Sequence, residues 1–286
     1  MNNKFNIKDN IDIAWCPGCG NFLIRKEIMS VLEDLKLAPE ELVLVSGIGQ
    51  AAKMPQYVNT NFFNGLHGRG LPPATAIKAA NPQLTVLAFG GDGDMYGEGG
   101  NHLLHASRRN PDITLFVHDN MIYGLTKGQA SPTTNFGFET PVQNFGVFER
   151  PLNPIALAIS LEITFVARVF CGHPEKTQEI MKQAIKHKGF ALVDIFQPCV
   201  SFNKTNTHKW FEENTYYLQE DYDPTDRDKA FKKAYETMPF PLGVIYKNEG
   251  RKTFEENLHI YQENAAPLVQ RSTTKAKVKN EINKKI

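Results

Sequence analysis

Short, continuously apolar runs recur along the chain, and several close on glycine or on an Asp-Asn pair. Leu42-Val43-Leu44-Val45 and the runs 85–89 and 113–117 contain almost no polar interruption. That pattern predicts strands buried on both faces, since a half-exposed strand would alternate apolar with polar positions. Two later runs, 164–170 and 191–196, have the same character. Between them, residues at about 21–36, 72–80, 98–109, 153–160 and 174–188 follow helical periodicity. Strands alternating with helices predict an α/β fold, a mostly parallel sheet with helices on both faces. Ligands of such sheets bind beyond the carboxyl ends of the strands, so the loops there are where chemistry is expected. Residues 128–151 break the pattern: rich in Gly, Pro, Thr, Asn and Phe, they read as an ordered surface loop packed on something.

Composition narrows the class. Of 286 residues, 41% are hydrophobic, enough for a buried core and against disorder. The formal charge of +1 gives no field for nucleic acid or a membrane surface. It divides unevenly: residues 270–286 hold six Lys/Arg and one Glu, a basic tail that reads as disordered beyond a single α/β domain spanning 1–269. No apolar run approaches the ~20 residues that span a bilayer, and the N-terminus lacks a signal-peptide stretch. Four cysteines are too few for a disulfide scaffold, and Cys16 and Cys19 form Cys-x-x-Cys. That spacing points to metal or redox chemistry in a reducing compartment, hence a cytoplasmic protein.

The densest chemistry lies in Gly90-Gly91-Asp92-Gly93-Asp94 and in Asp119-Asn120-Met121-Ile122-Tyr123-Gly124. Each follows a predicted strand. Asp92 offers a carboxylate, and Asn120 an amide oxygen from the neighbouring strand end. With a backbone carbonyl and diphosphate oxygens, that set suits octahedral Mg²⁺. No Gly-x-x-x-x-Gly-Lys-Ser/Thr occurs, and Tyr96 stands where a dinucleotide fingerprint needs its third glycine.

This arrangement resembles the metal–diphosphate signature of thiamine diphosphate enzymes. Further motifs stand in order: Trp15-Cys16-Pro17-Gly18-Cys19-Gly20-Asn21, Ser46-Gly47-Ile48-Gly49, Leu66-His67-Gly68-Arg69, Gly97-Glu98-Gly99-Gly100-Asn101-His102 and Gly124-Leu125-Thr126-Lys127-Gly128-Gln129. Together, over roughly 12–250, they resemble the β subunit of 2-oxoacid:ferredoxin oxidoreductases, most closely the 2-oxoglutarate branch. The resemblance implies that Asp92, Asn120 and the carbonyl of Ile122 hold Mg²⁺. Gly47, Ile48, Gly49, His67, Gly91, Asp92, Gly93, Asp94, Asn120, Ile122, Tyr123, Gly124 and Leu125 would line thiamine diphosphate. His67 would face the diphosphate, and Lys53, Thr126 and Lys127 are candidates near the substrate carboxylates.

The resemblance also implies a [4Fe–4S] cluster on four cysteines. Cys16, Cys19 and Cys199 fit three of them. The fourth commonly follows the Ser-Gly-Ile-Gly motif, and here that position is Gln50. Cys171 is the remaining thiol, either a ligand or a small buried residue. Zinc or a dithiol couple competes for the Cys16/Cys19 pair.

The implied reaction converts a 2-oxoacid, coenzyme A and oxidised ferredoxin into acyl-CoA, carbon dioxide and reduced ferredoxin. One α/β domain leaves no room for the half-site that binds the aminopyrimidine, so an α subunit is the implied obligate partner and ferredoxin a transient one. Two other readings compete. One is a non-oxidative thiamine-dependent decarboxylase or lyase subunit without a working cluster, and the other is a non-catalytic assembly subunit.

Overall fold

A computed structural model describes residues 3–7 and 11–284. The chain builds one eight-stranded sheet in the order β2-β1-β3-β4-β6-β5-β8-β7. Six strands, β1 (Leu42–Ser46), β2 (Asn61–Asn64), β3 (Thr85–Gly91), β4 (Ile113–Asp119), β5 (Phe165–Phe170) and β6 (Ala191–Phe196), run parallel. β8 (Phe240–Lys247) turns antiparallel against β5, and the short β7 (Thr215–Tyr217) follows it at the edge. The mostly parallel sheet expected from the strand–helix alternation is therefore present.

The period of two along each strand feeds two cores. Leu42, Leu44, Leu87, Phe89 and Phe116 point to one face, where α1 (Asn21–Asp34) and α5 (Pro174–Lys186) cover them. Val43, Val45, Val86, Ala88, Leu115 and Val117 point to the other. There α2 (Leu71–Ala80), α3 (Gly100–Arg109) and α4 (Pro154–Ser160) close the layer. α6 (His208–Glu213) adds Phe211 to the first core, and α7 (Arg227–Ala234) adds Ala230 and Ala234 to the second.

The C-terminal segment adds nothing to either core. After the short α8 (His259–Gln262), residues Lys275–Asn283 form α9, none of them buried. Local chemistry accounts for the helix: Thr274 caps it by accepting the Lys277 amide, and its Lys, Ala and Glu favour helix. Among the described residues no helix is long and apolar enough to cross a membrane.

Candidate active site

The carboxyl ends of β1, β3, β4 and β6 lie along one edge of the sheet, and the site is assembled from the residues that follow them. The register pairs Gly91 of β3 with His118 of β4, which sets Asp92 and Asp119 at neighbouring strand ends. Asn120 is one residue further along. Its Oδ1 accepts the Ile122 amide at 3.1 Å, fixing the turn that carries Met121, Ile122 and Tyr123.

Asp92 is fully enclosed, and none of the ion pairs among the described residues reaches it. Burial pushes its carboxyl up to about 6, against hydroxyl donors from Ser131 and Thr133 that favour the charged form. Both hydroxyls come from the 128–151 loop, which therefore packs on the strand ends. Asp119 is held well above the usual carboxylate range by burial and by the charges of Asp194 and Asp92. Ser131 and Thr133 were not singled out by sequence: nothing in Ser-Pro-Thr-Thr marks which carboxylate a loop will reach.

The second carboxylate of the motif, Asp94, ties two loops together. Its Oδ1 accepts the Ile48 amide at 3.0 Å and the Gly68 amide at 2.7 Å. Glycine at 47 permits this approach, since a Cβ there would lie 2.2 Å from Asp94 Oδ2. His67 Nδ1 lies 3.4 Å from Asp94 Oδ1 and 3.3 Å from Glu98 Oε2. The Tyr123 hydroxyl donates to Glu98 Oε2 at 2.9 Å, and its ring packs where a Cβ on Gly93 would stand. So Gly47, Ile48, His67, Gly93, Asp94 and Tyr123 converge.

The thiols gather one turn away. Trp15, Cys16, Cys19, Gln50, Asn120, Gly124, Gln197 and Cys199 line one small pocket. Trp15 Nε1 donates to the Gln50 carbonyl at 2.8 Å, pinning the Cys-x-x-Cys loop over the end of β1. Burial, with Cys199 and Cys16 nearby, pushes the Cys19 thiol up to about 11. Cys171 does not line this pocket; it is fully buried in the core beneath it. Among the described residues no group of three or more His, Cys, Asp or Glu side chains is arranged around a single metal ion.

The remaining candidates are more dispersed. Lys53 Nζ reaches the Ala14 carbonyl at 3.4 Å. Thr126 donates to Gln129, and Lys127 takes a left-handed φ of 76° in the turn closed by the Tyr123–Gln129 bridge. Leu125 is exposed on that turn.

Residues 46–195 match the thiamine pyrophosphate enzyme C-terminal TPP binding domain, and residues 199–263 the C-terminal region of the pyruvate ferredoxin oxidoreductase beta subunit. The beta subunit of 2-oxoacid:ferredoxin oxidoreductase 2 from Aeropyrum pernix is 43% identical over 258 residues, covering 86% of this chain and 84% of that one. The chain belongs to the 2-oxoacid:ferredoxin oxidoreductase beta subunits. The 2-oxoglutarate synthase subunit KorB of Methanocaldococcus jannaschii is 34% identical over 233 residues, covering 79% of this beta subunit and 86% of its own length. A 2-oxoglutarate:ferredoxin oxidoreductase from Magnetococcus marinus, solved with 2-oxoglutarate, coenzyme A and succinyl-CoA bound, superposes with a TM-score of 0.89. The match is 34% identical and covers 97% of this chain and 93% of that chain. The beta subunit thus carries a thiamine pyrophosphate-binding domain and works within a multi-subunit oxidoreductase.

Proposed function

We propose that this beta subunit holds thiamine diphosphate through Mg²⁺ at the β3 and β4 ends, beside a [4Fe–4S] cluster on Cys16, Cys19 and Cys199, and that its enzyme oxidises 2-oxoglutarate to succinyl-CoA. The observation that carries the reading is the position of Asn120, which follows the β4 end beside Asp92 and also lines the cysteine pocket. A group bound at Asp92 and electrons leaving through the thiols would be neighbours.

The residues suit both groups. Asp92, Asn120 and the Ile122 carbonyl are hard oxygen donors, and a buried carboxylate without a cationic partner gains most from a divalent ion. Asp94 Oδ2 is buried without a donor, and Gly49, at φ 125°, faces open space. Bound there, the cofactor supplies the carbon nucleophile that makes decarboxylation feasible. The chain's own part is to fix the diphosphate through Asp92, Gly91 and Asn120, and to hold the loops of Gly47 to Gly49 and His67 through Asp94. His67 is placed to donate to the diphosphate. Lys53, Thr126 and Lys127 are the cations and hydroxyl offered to the substrate carboxylates.

The partners follow from the family, whose members are beta subunits of ferredoxin oxidoreductases. An α subunit completes the aminopyrimidine side, and ferredoxin receives the electrons. Phe136, Val142, Phe145 and Phe148 on the 128–151 loop are strongly exposed, an apolar patch suited to subunit contact. Free thiols of this kind belong in a reducing, cytoplasmic compartment.

The test is the complex with its α subunit, purified anaerobically. Expected are iron and acid-labile sulfide, 2-oxoglutarate-dependent reduction of ferredoxin, and loss of thiamine diphosphate retention in Asp92→Ala. A fully loaded complex that decarboxylates without iron would establish the non-oxidative lyase instead.

A further inference from the structure

The fourth corner of the cysteine pocket can be assigned from the side chains around it. Gln50 Oε1 is buried and accepts no hydrogen bond. An unsatisfied buried acceptor of this kind is costly unless something occupies the space it faces. It shares the pocket with Cys16, Cys19 and Cys199. Gly124 has both Gln50 and Cys199 as neighbours: a Cβ at that residue would lie 3.9 Å from Cys199 Sγ and 4.0 Å from Gln50 Cγ. The backbone of Gln50 is anchored by the Trp15 indole, one residue before Cys16.

Cys171 is placed differently. Its sulfur packs 3.0 Å from where a Cβ on Gly20 would stand, alongside the Gln197 side chain. Gln197 lines the pocket and donates to Cys19 Sγ at 3.5 Å. Cys171 thus belongs to the packed core under α1, with no exposed surface. It does not line the pocket that the other three thiols share.

We propose that the cluster is held by three thiolates, Cys16, Cys19 and Cys199, with the Gln50 amide oxygen on the fourth iron and Cys171 taking no part. The inference rests on the iron–sulfur reading above. An amide oxygen is a hard, weak donor to iron compared with a thiolate. One iron of the four is therefore distinct and the most easily lost.

The test uses the anaerobic complex loaded with ⁵⁷Fe, as wild type, Gln50→Cys, Gln50→Ala and Cys171→Ala. Mössbauer spectra are expected to show one distinct iron in the wild type and an unchanged pattern in Cys171→Ala. Gln50→Cys should make the four irons alike. It should also slow the release of one iron to ferricyanide by on the order of tenfold, the scale on which partners of a bound metal alter its retention. In Gln50→Ala the distinct iron should be released faster than in the wild type. The assignment is overturned if the wild type shows four thiolate-bound irons and Cys171→Ala produces the distinct one. It is also overturned if the distinct iron persists in Gln50→Cys. Iron and sulfide analysis separates these outcomes from failure of the parent reading: no cluster in the wild type or in Gln50→Cys removes the cluster itself, and this assignment with it.

Discussion

Thr133 donates its hydroxyl proton to Asp92 at 2.6 Å, although the two residues are 41 positions apart. The same hydroxyl oxygen lies 2.8 Å from Asp119 Oδ1. A hydroxyl has one proton to give, so Thr133 serves one of the two carboxylates at a time and couples them. Burial pushes both carboxyls up, Asp119 also through the charges of Asp194 and Asp92. A cation at Asp92 would relieve that crowding of buried acidic groups.

Thr133→Val keeps the shape and removes that donor. Affinity for thiamine diphosphate with Mg²⁺ is expected to fall on the order of 10–100-fold, the range for partners that orient metal ligands. Calorimetric titration measures this, with circular dichroism as the control for folding. An unaltered affinity would detach the 128–151 loop from cofactor binding.

Asp94 and Gly47 should behave as one unit. A methyl at residue 47 would stand 2.2 Å from Asp94 Oδ2 and push the carboxylate off the Ile48 and Gly68 amides. Gly47→Ala and Asp94→Ala are each expected to weaken cofactor binding. The double variant should lose hardly more than either alone, because contacting residues are not additive. Fully additive losses in the three titrations would show that the two positions act separately.

The fold was legible where the signal was an uninterrupted apolar run. β1, β3, β4, β5 and β6 all coincide with such runs, since both their faces are buried and every position must be apolar or paired. β2 is Asn-Phe-Phe-Asn at the sheet edge with every residue exposed, so burial imposed no pattern on it. β8 carries Pro241 and Gly243 within its span, which break a strand pattern in sequence. Asp92, Asp94 and Asn120 could be read because glycines and strand ends frame them. Ser131 and Thr133 could not, because a long loop decides its contacts only in three dimensions. Cys171 shows the limit from the other side: a thiol looks alike in sequence whether it faces a pocket or the core.

Glu27 gives a pH prediction. It lies buried in α1, with neither carboxyl oxygen hydrogen-bonded, and burial pushes its acidity up to about 8 from about 4.5. Between those values the folded chain keeps a proton that the unfolded chain releases. Its contribution to stability is therefore fully present below pH 4.5 and declines as pH rises toward 8. Glu27→Gln should resemble the wild type near pH 5. By pH 8 it should be more stable by on the order of 4 kcal/mol, at about 1.4 kcal/mol per pKa unit. Urea unfolding at the two pH values measures the gap, and a gap independent of pH would mean that Glu27 does not hold its proton.

Arg168 and Asp194 test how the sheet tolerates charge at its centre. They face each other across β5 and β6, and Arg168 Nε donates to Asp194 Oδ2 at 2.7 Å with both side chains buried. The Tyr96 hydroxyl donates to the other carboxylate oxygen at 2.8 Å, and the guanidinium lies 4.6 Å from the centre of the Phe196 ring. Breaking a buried pair from one side leaves a bare charge, which typically costs about 3–5 kcal/mol. Arg168→Met is expected to lose stability on that scale. Adding Asp194→Asn should restore much of it, because an amide oxygen still accepts from Tyr96 and no charge is stranded. Denaturant unfolding of both variants decides the matter. If the double variant is as unstable as the single, the stacking of the guanidinium on Phe196, rather than the stranded carboxylate, sets the loss.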